Sequence, residues 1–349
     1  MTTEAPLNRR IVLAQRPIGS PTAADFRLEE VPMPELADGQ VLLRTLYLSI
    51  DPYMRARMSD APSYAQPVAI DAVMVGATVS RVEASRSSSL AVGDVVLSMN
   101  GWQDYAAVST KGLMKIDASI APPSYSLGVL GMTGFTAYVG LLDIGQAKEG
   151  DTVLVSAATG AVGGNVGQIA KLKGCRAVGI AGGADKCEYA VQTLGYDACI
   201  NHYDEDFAEQ LAAACPNGVD VYFENVGGNP MMAAIPLLNV GARVALCGII
   251  AWLNGPAPGP IDTAPQIMRA LLNKRASVQG FVITDHYARR HADFRRDMSQ
   301  WVKEGKIHYR EDVIDGLERA PLALMGLLRG DNFGKVMVRV VQDETVDKA

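Results

Sequence analysis

Short apolar runs separated by turn residues dominate the first third of the chain. The runs lie at residues 11–14, 26–31, 41–50, 73–82, 95–98 and 105–108, each bounded by Pro, Gly or Asp. Short strands with such boundaries predict a small β-barrel or sandwich. A helical segment then begins near Leu127 and continues through Thr133 to Leu142.

The second half alternates apolar strand patterns with helix-length segments. An apolar run from Thr152 is followed by a turn of small residues and a helix, and β-type runs recur at 176–181, 219–224, 243–247 and 277–281. This order predicts a doubly wound parallel sheet, and therefore an α/β protein. Helices are expected at 293–306 and 316–329. A closing strand at 334–341 pairs either with this sheet or with the N-terminal domain.

The turn after the first of these strands has the pattern of a phosphate cradle, with Gly160, Ala161, Val162 and Gly163 before the helix. Gly160 permits a tight turn, Gly163 permits close packing of helix on strand, and the N–H groups at the helix start point at a pyrophosphate. Ala158 replaces the first glycine of the usual G-x-G-x-x-G motif. The strand, turn and helix context nevertheless favours dinucleotide binding over an ordinary glycine-punctuated sheet.

The end of the next strand bears on which dinucleotide is bound. An enzyme that selects NAD usually has an acidic residue there, which bonds the ribose 2′-hydroxyl. Gly182 and Gly183 occupy this place, and Lys186 follows as a candidate cation for a 2′-phosphate. NADP is therefore favoured over NAD, although a solvated lysine beside Asp185 is the alternative reading of Lys186.

Composition excludes several classes of partner. The chain has 349 residues, enough for two domains, with 48% hydrophobic and 20% charged residues and a net charge of −6. No run of basic residues indicates nucleic acid or an anionic membrane, and no apolar stretch reaches the roughly 20 residues of a membrane span. Because the first ten residues lack the apolar core of a signal peptide, we expect a cytoplasmic protein.

The distribution of cysteine and histidine argues against a metal. The five cysteines show no paired spacing, which indicates free thiols. No cysteine or histidine precedes Cys175, and the first histidine is His202. A catalytic zinc needs about three such ligands around an open position, so we expect no zinc.

Motifs spread over nearly the whole chain resemble one family. They are Asp51-Pro-Tyr-Met-Arg55, Ala158-Thr-Gly-Ala-Val-Gly163, Gly182-Gly-Ala-Asp-Lys-Cys187, Glu224-Asn-Val-Gly-Gly228, Cys247-Gly248, Gln279-Gly-Phe281 and Asn332-Phe-Gly-Lys335. The set is similar to the zinc-free branch of the medium-chain dehydrogenase/reductase superfamily. Within that branch it resembles the leukotriene dehydrogenase/prostaglandin reductases and the bacterial NADPH-dependent curcumin reductases.

The resemblance implies a domain plan and a partner. A GroES-like β-barrel substrate domain spans 1–128, a Rossmann NADP-binding domain spans 129–300, and the segment 301–349 returns to complete the first domain. Homodimers are usual in the family, often through sheet extension. We expect the cofactor and substrate in a cleft between the domains.

The resemblance also implies roles for individual residues. The turn from Gly160 to Gly163 holds the pyrophosphate and Lys186 holds the 2′-phosphate. The family tyrosine that helps this lysine corresponds to His202, with Tyr203 next to it, and either can substitute. The ribose and nicotinamide are expected against Asn225, Cys247, Gly248, Ile249, Ile250, Phe281, Val282, Ile283 and Asn332.

The reaction implied is reduction of an activated carbon–carbon double bond, in which hydride from NADPH reaches the β-carbon of an enone or enal, curcumin-like diketones included. The developing oxyanion needs a hydrogen-bond donor, and relatives have a tyrosine where this chain has Leu253. The candidate replacements are Tyr64, the indole of Trp252 and the cofactor's ribose hydroxyl. For Tyr53, a ring packed under the cofactor is favoured over a catalytic role.

Two other functions remain open at this stage. A zinc-free NADPH quinone reductase needs the same hydride cradle but no protonating tyrosine, which suits Leu253. An NADPH-binding protein without catalysis would keep the cradle and show no turnover.

Overall fold

The computed structural model describes residues 7–255 and 263–342, and the chain divides into two compact units. The first unit combines the residues up to Leu127 with those from Glu311 onward, and the second is Gly128–Arg310. The expected boundary at 300 falls inside the helix Tyr287–Lys303, which belongs wholly to the second unit.

The first unit is built mainly of strands. Along the chain these are β1 (Leu7–Leu13), β2 (Phe26–Pro32), β3 (Gln40–Ser49), the short helix α1 (Tyr53–Arg57), β4 (Thr78–Ser85), β5 (Val95–Ser98), β6 (Tyr105–Ser109) and β7 (Met114–Lys115).

The second unit alternates strands and helices. Its elements are α2 (Met132–Val139), β8 (Thr152–Ser156), α3 (Gly163–Leu172), β9 (Arg176–Ala181), α4 (Ala184–Gln192), β10 (Ala198–Asn201), α5 (Phe207–Ala214), β11 (Val219–Glu224), α6 (Gly228–Ala234), β12 (Leu238–Leu246), α7 (Ala264–Lys274), β13 (Ser277–Gly280) and α8 (Tyr287–Lys303). The chain then re-enters the first unit with β14 (Glu311–Asp315), α9 (Ala320–Arg329) and β15 (Lys335–Arg339).

The closing strand pairs within the first unit. The sheet order there is β14-β15-β3-β4-β5-β7, with β6 also on β3, while β1 and β2 form a separate antiparallel pair. Strand β15 runs antiparallel to β3, with Met337 opposite Ser49. This pairing answers the question that the sequence left open. A core that includes Leu48, Trp102 and Val338 holds the returning segment against the earlier strands.

A buried ion pair joins two of the sequence motifs. The Lys335 ammonium lies 2.9 Å from Asp51 Oδ1 and donates to the carbonyl oxygens of Ile50 and Val336. Both side chains are almost fully buried. Loss of either partner would leave an uncompensated charge in the interior. This ion pair therefore stabilises the contact between β15 and the turn before α1.

The second unit contains the expected doubly wound parallel sheet, in the order β10-β9-β8-β11-β12-β13. The chain goes outward from β8 to β9 and β10 and then returns to β11 on the other side of β8. The strand order therefore reverses between β8 and β11, and ligands of such sheets bind at the carboxyl ends of the strands at this switch point. The mixed α/β class is confirmed. Within the described residues, no helix is long and apolar enough to cross a membrane.

Candidate functional site

The turn between β8 and α3 has a shape that only small residues permit. A Cβ at position 163 would lie 2.2 Å from the carbonyl oxygen of Ala157, and one at position 160 would lie 3.2 Å from the same oxygen. Ala157 itself has a positive φ of 51°. Gly163 is therefore required for the close approach of helix to turn, as the sequence predicted.

The same turn presents unused backbone donors. The N–H of Gly164 bonds the carbonyl of Gly160, but among the described residues none accepts from the N–H groups of Ala161, Val162 and Gly163. These donors lie at the positive end of the ten-residue helix α3. Free N–H groups at a helix start fit a pyrophosphate without any further cation.

Three polar residues connect β8 to β11 at the switch point. The Ser156 hydroxyl donates to Glu224 Oε1 at 2.7 Å and accepts from the backbone N–H of Asn225 at 2.8 Å. The Asn225 amide donates to the carbonyl oxygen of Ser156 at 2.8 Å. This bonding fixes Asn225 at the carboxyl end of β11, in the crevice where the topology expects a ligand.

Glu224 organises the loop that follows β11. Its fully buried carboxylate accepts from the hydroxyls of Ser156 and Tyr222 and from the backbone N–H groups of Val226 and Gly227. Several charge-assisted hydrogen bonds of this kind compensate the loss of hydration of a buried carboxylate. The shape of the turn 225–228 therefore depends on this one side chain.

The segment after β12 is hydrogen-bonded to the same loop. The N–H groups of Cys247 and Gly248 donate to the Glu224 carbonyl oxygen, and that of Ile250 donates to the carbonyl oxygen of Asn225. Burial, together with the Glu224 charge, raises the pKa of the Cys247 thiol to about 12. Cys247 is therefore a neutral thiol at physiological pH.

The loop ends on Trp252 and on Leu253, the residue predicted to replace the family tyrosine. Trp252 lies over Gly227, where a Cβ would be 2.9 Å from the indole ring, and 36% of its surface is exposed. Leu253 follows at the end of a short 3-10 turn and is half-buried. Ile249 is exposed on the same segment.

At the end of β9, two aromatic rings converge on a glycine. A Cβ at Gly182 would lie 3.0 Å from His202 Nε2 and 3.1 Å from the Tyr203 hydroxyl, and the two ring centroids are 4.2 Å apart. Gly183 has a positive φ of 101°, and its N–H donates to Asn201 Oδ1 at 2.8 Å. Asn201 thereby joins the β9–α4 turn to the end of β10.

Lys186 completes this group from the first turn of α4. Burial lowers the pKa of His202, and the charge of Lys186 lowers it further. At neutral pH His202 is therefore a neutral imidazole that can offer one N–H, while Lys186 supplies the positive charge. Gly182, Lys186, His202 and Tyr203 form what we call the strand-tip cluster. The Lys186 ammonium gives this cluster a positive charge.

Phe281, Val282 and Ile283 follow β13 at the same edge of the sheet. The Phe281 ring meets Phe223 edge to face, with centroids 6.4 Å apart, and would lie 2.7 Å from a Cβ at Gly140. All three residues are half-buried. They can offer an apolar wall and backbone groups, with no titratable side chain.

The remaining candidates belong to the first unit. Tyr53 opens α1, where burial, and next the charge of Asp51, raises the pKa of its hydroxyl. Tyr64 also affects that pKa and is 66% exposed. The Asn332 amide donates to the carbonyl oxygen of Gly334 at 2.9 Å, in the turn before β15. The roles predicted for these three residues stay predictions.

Sequence reasoning assigned no role to three residues that shape the site, Ser156, Asn201 and Glu224. Each is the last residue of a parallel strand. A polar residue at the carboxyl end of an otherwise apolar strand was the available signal, because those ends meet at one edge of the sheet.

Comparison with known proteins identifies relatives over the whole length. Residues 9–116 match the family described as "N-terminal domain of oxidoreductase", and residues 161–304 match the one described as "Zinc-binding dehydrogenase". In the described ranges 7–255 and 263–342, no group of three or more His, Cys, Asp or Glu side chains could hold a metal ion.

Three individual relatives cover almost all of the chain. The NADPH-dependent curcumin reductase of Escherichia coli is 57% identical over 339 residues, covering 97% of this chain and 98% of the relative. Prostaglandin reductase 1 of Bos taurus is 41% identical, covering 92% and 96%. The crystal structure of CurA in complex with NADPH from Vibrio vulnificus matches with a TM-score of 0.92 at 57% identity, covering 96% and 100%.

Proposed function

The chain belongs to the medium-chain dehydrogenase/reductase superfamily, in the branch of the prostaglandin and curcumin reductases, and on that premise we propose that it reduces activated carbon–carbon double bonds with NADPH. The substrates are α,β-unsaturated ketones and aldehydes, curcumin-like diketones included. The observation that carries the proposal is the pairing of a pyrophosphate cradle with the strand-tip cluster on one sheet edge. We further propose that the second unit is the cofactor domain and the first the substrate domain.

The residues present fit NADPH. The N–H groups of Ala161, Val162 and Gly163 would receive the pyrophosphate, and Lys186, His202 and Tyr203 would receive the 2′-phosphate. Asn225, the loop from Cys247 to Ile250, Phe281 to Ile283 and Asn332 would surround the ribose and nicotinamide. When bound, NADPH supplies the hydride that reduces the β-carbon.

The protein's own chemical task is to orient the alkene and to stabilise the oxygen that becomes negative. Leu253 cannot donate a hydrogen bond, so we propose Tyr64 as the donor. An enol or enolate oxygen is a good partner for a phenol, whose ordinary pKa is about 10. Tyr53, kept protonated by burial, would pack beneath the cofactor.

The test of coenzyme choice is Lys186→Ala. Removing this cation from a 2′-phosphate should cost one charge-assisted hydrogen bond, and KM for NADPH should rise about tenfold to a hundredfold. KM for NADH should change little. Lys303→Ala, an exposed lysine at the end of α8, is the control for net charge. An equal rise for both coenzymes would contradict the assignment.

The test of the oxyanion donor is Tyr64→Phe. Loss of one such donor is commonly worth about 2.7–4 kcal/mol, so kcat for an enone should fall about a hundredfold or more while KM for NADPH is unchanged. Leu253→Tyr in the same background should recover part of the loss. Tyr105→Phe, on β6 of the same unit, controls for removal of a hydroxyl. If Tyr64→Phe reduces the enone at the parental rate, Tyr64 is not the donor, and Trp252 or the ribose hydroxyl becomes the candidate.

A quinone reductase is the second candidate. Such an enzyme does not need the protonating tyrosine, so Leu253 at this position is compatible with it. Comparing NADPH oxidation with an enone and with a quinone separates the two. Faster turnover of the quinone over a matched panel would favour it. Tight NADPH binding with no turnover on either panel would indicate a protein without catalysis.

We propose a homodimer built on the edge strand β13. Among the strands that the structure describes, β13 pairs on one side only, with β12, and all four of its residues are exposed. Helix α7, just before it, exposes Met268 and Leu272. A second copy could extend the sheet there and cover these side chains. Val278→Pro, which removes one N–H from this strand, should yield monomers in sedimentation velocity.

We also propose that the protein works in the cytoplasm. All five cysteines are free thiols, as expected in a reducing compartment. Fractionation of cells expressing the tagged full chain tests this.

A further inference from the structure

Two cysteines lie behind the strand-tip cluster, on the elements that carry it. Cys187 follows Lys186 directly in the first turns of α4, and Cys199 precedes His202 by three residues in β10. Helix α4 packs on β10. The Cys199 sulfur lies 3.0 Å from where a Cβ would stand at Gly179 on the neighbouring strand, so the glycine leaves room for it. The Cys187 and Cys199 side chains interact directly, and each thiol changes the pKa of the other.

We propose that Cys187 and Cys199 are a reversible redox site that forms a disulfide with a peroxide as the oxidant. Two thiols that interact, on a helix and a strand packed against each other, are suitably placed to form a disulfide. The pair lies outside the predicted contacts to the cofactor.

The chemistry balances with one peroxide. The interaction with Cys199 lowers the pKa of Cys187, against the opposing effect of burial, so Cys187 forms the attacking thiolate more readily than Cys199. Its sulfur bonds to one peroxide oxygen as the O–O bond breaks, and the other oxygen leaves as water. The Cys199 sulfur then attacks the sulfenic acid, the S–O bond breaks, and a second water leaves. Two thiols lose two electrons and two protons, and the peroxide gains them.

The other three cysteines are poorer candidates. Burial raises the pKa of Cys175 and of Cys215 to about 11, and burial with the Glu224 charge raises that of Cys247 to about 12. The Cys175 thiol also donates to the carbonyl oxygen of Lys148 at 3.2 Å. Oxidation should therefore be selective for the pair, because the thiolate is the reactive form.

A disulfide here would act on the strand-tip cluster. Bond formation draws the first turns of α4 towards β10 and so changes the spacing between Lys186 and His202. This consequence rests on the proposed function, in which the cluster holds the 2′-phosphate. In that case oxidation should weaken the binding of NADPH more than that of NADH. Bound NADPH should in turn slow the oxidation.

The test is to treat the full-length protein with hydrogen peroxide, block the remaining thiols with an alkylating agent, and map the peptides by mass spectrometry. We expect a mass loss of two hydrogens, a cross-link between the peptides of Cys187 and Cys199, and reversal by dithiothreitol. Cys187→Ser and Cys199→Ser should each abolish the cross-link. Cys175→Ser, whose hydroxyl can keep the bond to Lys148, should leave it intact. Sulfinic acid at Cys187 without a cross-link, or a disulfide to another cysteine, would overturn the proposal.

The kinetic arm measures KM for both coenzymes before and after oxidation. We expect a rise of about tenfold for NADPH, the scale of one weakened charge-assisted hydrogen bond, and a smaller change for NADH. An unchanged NADPH value in the cross-linked protein would overturn the link to the phosphate group. If the reduced protein oxidised no NADPH, the proposed function would fail, and peptide mapping would still decide the redox site.

Discussion

The buried carboxylate of Glu224 should stabilise both the fold and the cofactor loop, and two substitutions separate these effects. Its Oε1 atom accepts from Ser156, Val226 and Gly227, whereas Oε2 accepts from Tyr222. Glu224→Gln keeps the shape but removes the charge from all of these bonds. Tyr222→Phe removes the hydroxyl that donates to Oε2 and interacts with Ser156, and leaves the contacts of Oε1 with the backbone of Val226 and Gly227 in place.

The expected magnitudes follow from the bonds affected. A hydrogen bond to a charged group contributes about 1.5–3 kcal/mol and a neutral one about 0.5–1.5 kcal/mol. Glu224→Gln should therefore lower the free energy of unfolding by about 2–4 kcal/mol. Several hydrogen bonds lose their charged acceptor, and the side-chain NH2 of glutamine brings a donor to the place where the carboxylate accepted from the Tyr222 hydroxyl. Tyr222→Phe should lower the free energy of unfolding by about 1–3 kcal/mol, because the buried Oε2 atom of Glu224 loses the hydroxyl that donates to it.

The assay combines urea unfolding with fluorescence titration of NADPH. Glu224→Gln should weaken NADPH binding severalfold as the turn 225–228 loosens, and Tyr222→Phe should leave NADPH affinity at the parental value. Equal losses of affinity in the two variants would show that the effect is general destabilisation. No loss of stability in Glu224→Gln would refute the reasoning about the charge.

Three further predictions concern other parts of the molecule. Burial raises the pKa of Glu311 to about 7 from 4.5, so the folded state holds a proton that the unfolded state releases, and the free energy of unfolding should fall as pH rises between those values. Glu311→Gln should remove this fall, which amounts to about 3 kcal/mol, in pH-dependent urea unfolding, and an unchanged pH profile would contradict it. Gly163→Ala should lower the free energy of unfolding by about 1–3 kcal/mol and abolish most NADPH binding. Gly164→Ala should be tolerated, because a Cβ there would have its nearest neighbour at 3.5 Å. Equal effects of the two substitutions in unfolding and titration would refute the steric argument. Chelators should leave activity unchanged, and one zinc per chain whose removal abolishes activity would overturn the zinc-free assignment.

Strands buried on both faces could be predicted from the sequence almost to the residue. The runs at 176–181 and 219–224 coincide with β9 and β11, because the residues of a parallel strand in the middle of a sheet are mostly apolar. Strands β10 and β14 were missed. The first has four half-buried residues, and the second, Glu311–Asp315, is rich in carboxylates and owes its place to pairing with β15.

Other boundaries shifted where packing overrides the local pattern. The run at 73–82 becomes β4 only from Thr78, because Val73 and Met74 pair with β1 instead. The helix expected at 293–306 spans Tyr287–Lys303, and Gly305, with a φ of 67°, follows its end.

Some features of the site could likewise be predicted from local sequence motifs, whereas others depend on contacts between residues distant in the sequence. The turn at Gly160 to Gly163 and the pair Gly182-Gly183 are local motifs and could be read directly. The bond between Ser156 and Glu224 joins residues 68 positions apart, so no local pattern reveals it. Only the strand order brings those two residues together.

The return of the chain to its first unit affects how the protein is made on the ribosome. Strand β3 begins at Gln40, but its neighbour β15 begins at Lys335. At about 5–20 residues per second, synthesis of the intervening chain takes roughly 15–60 s. During that interval β3 lacks one partner and Asp51 lacks Lys335. The second unit is contiguous and can fold as it emerges, so the first unit is completed last, and a stalled nascent chain would expose an open sheet edge and an unpaired carboxylate to chaperones.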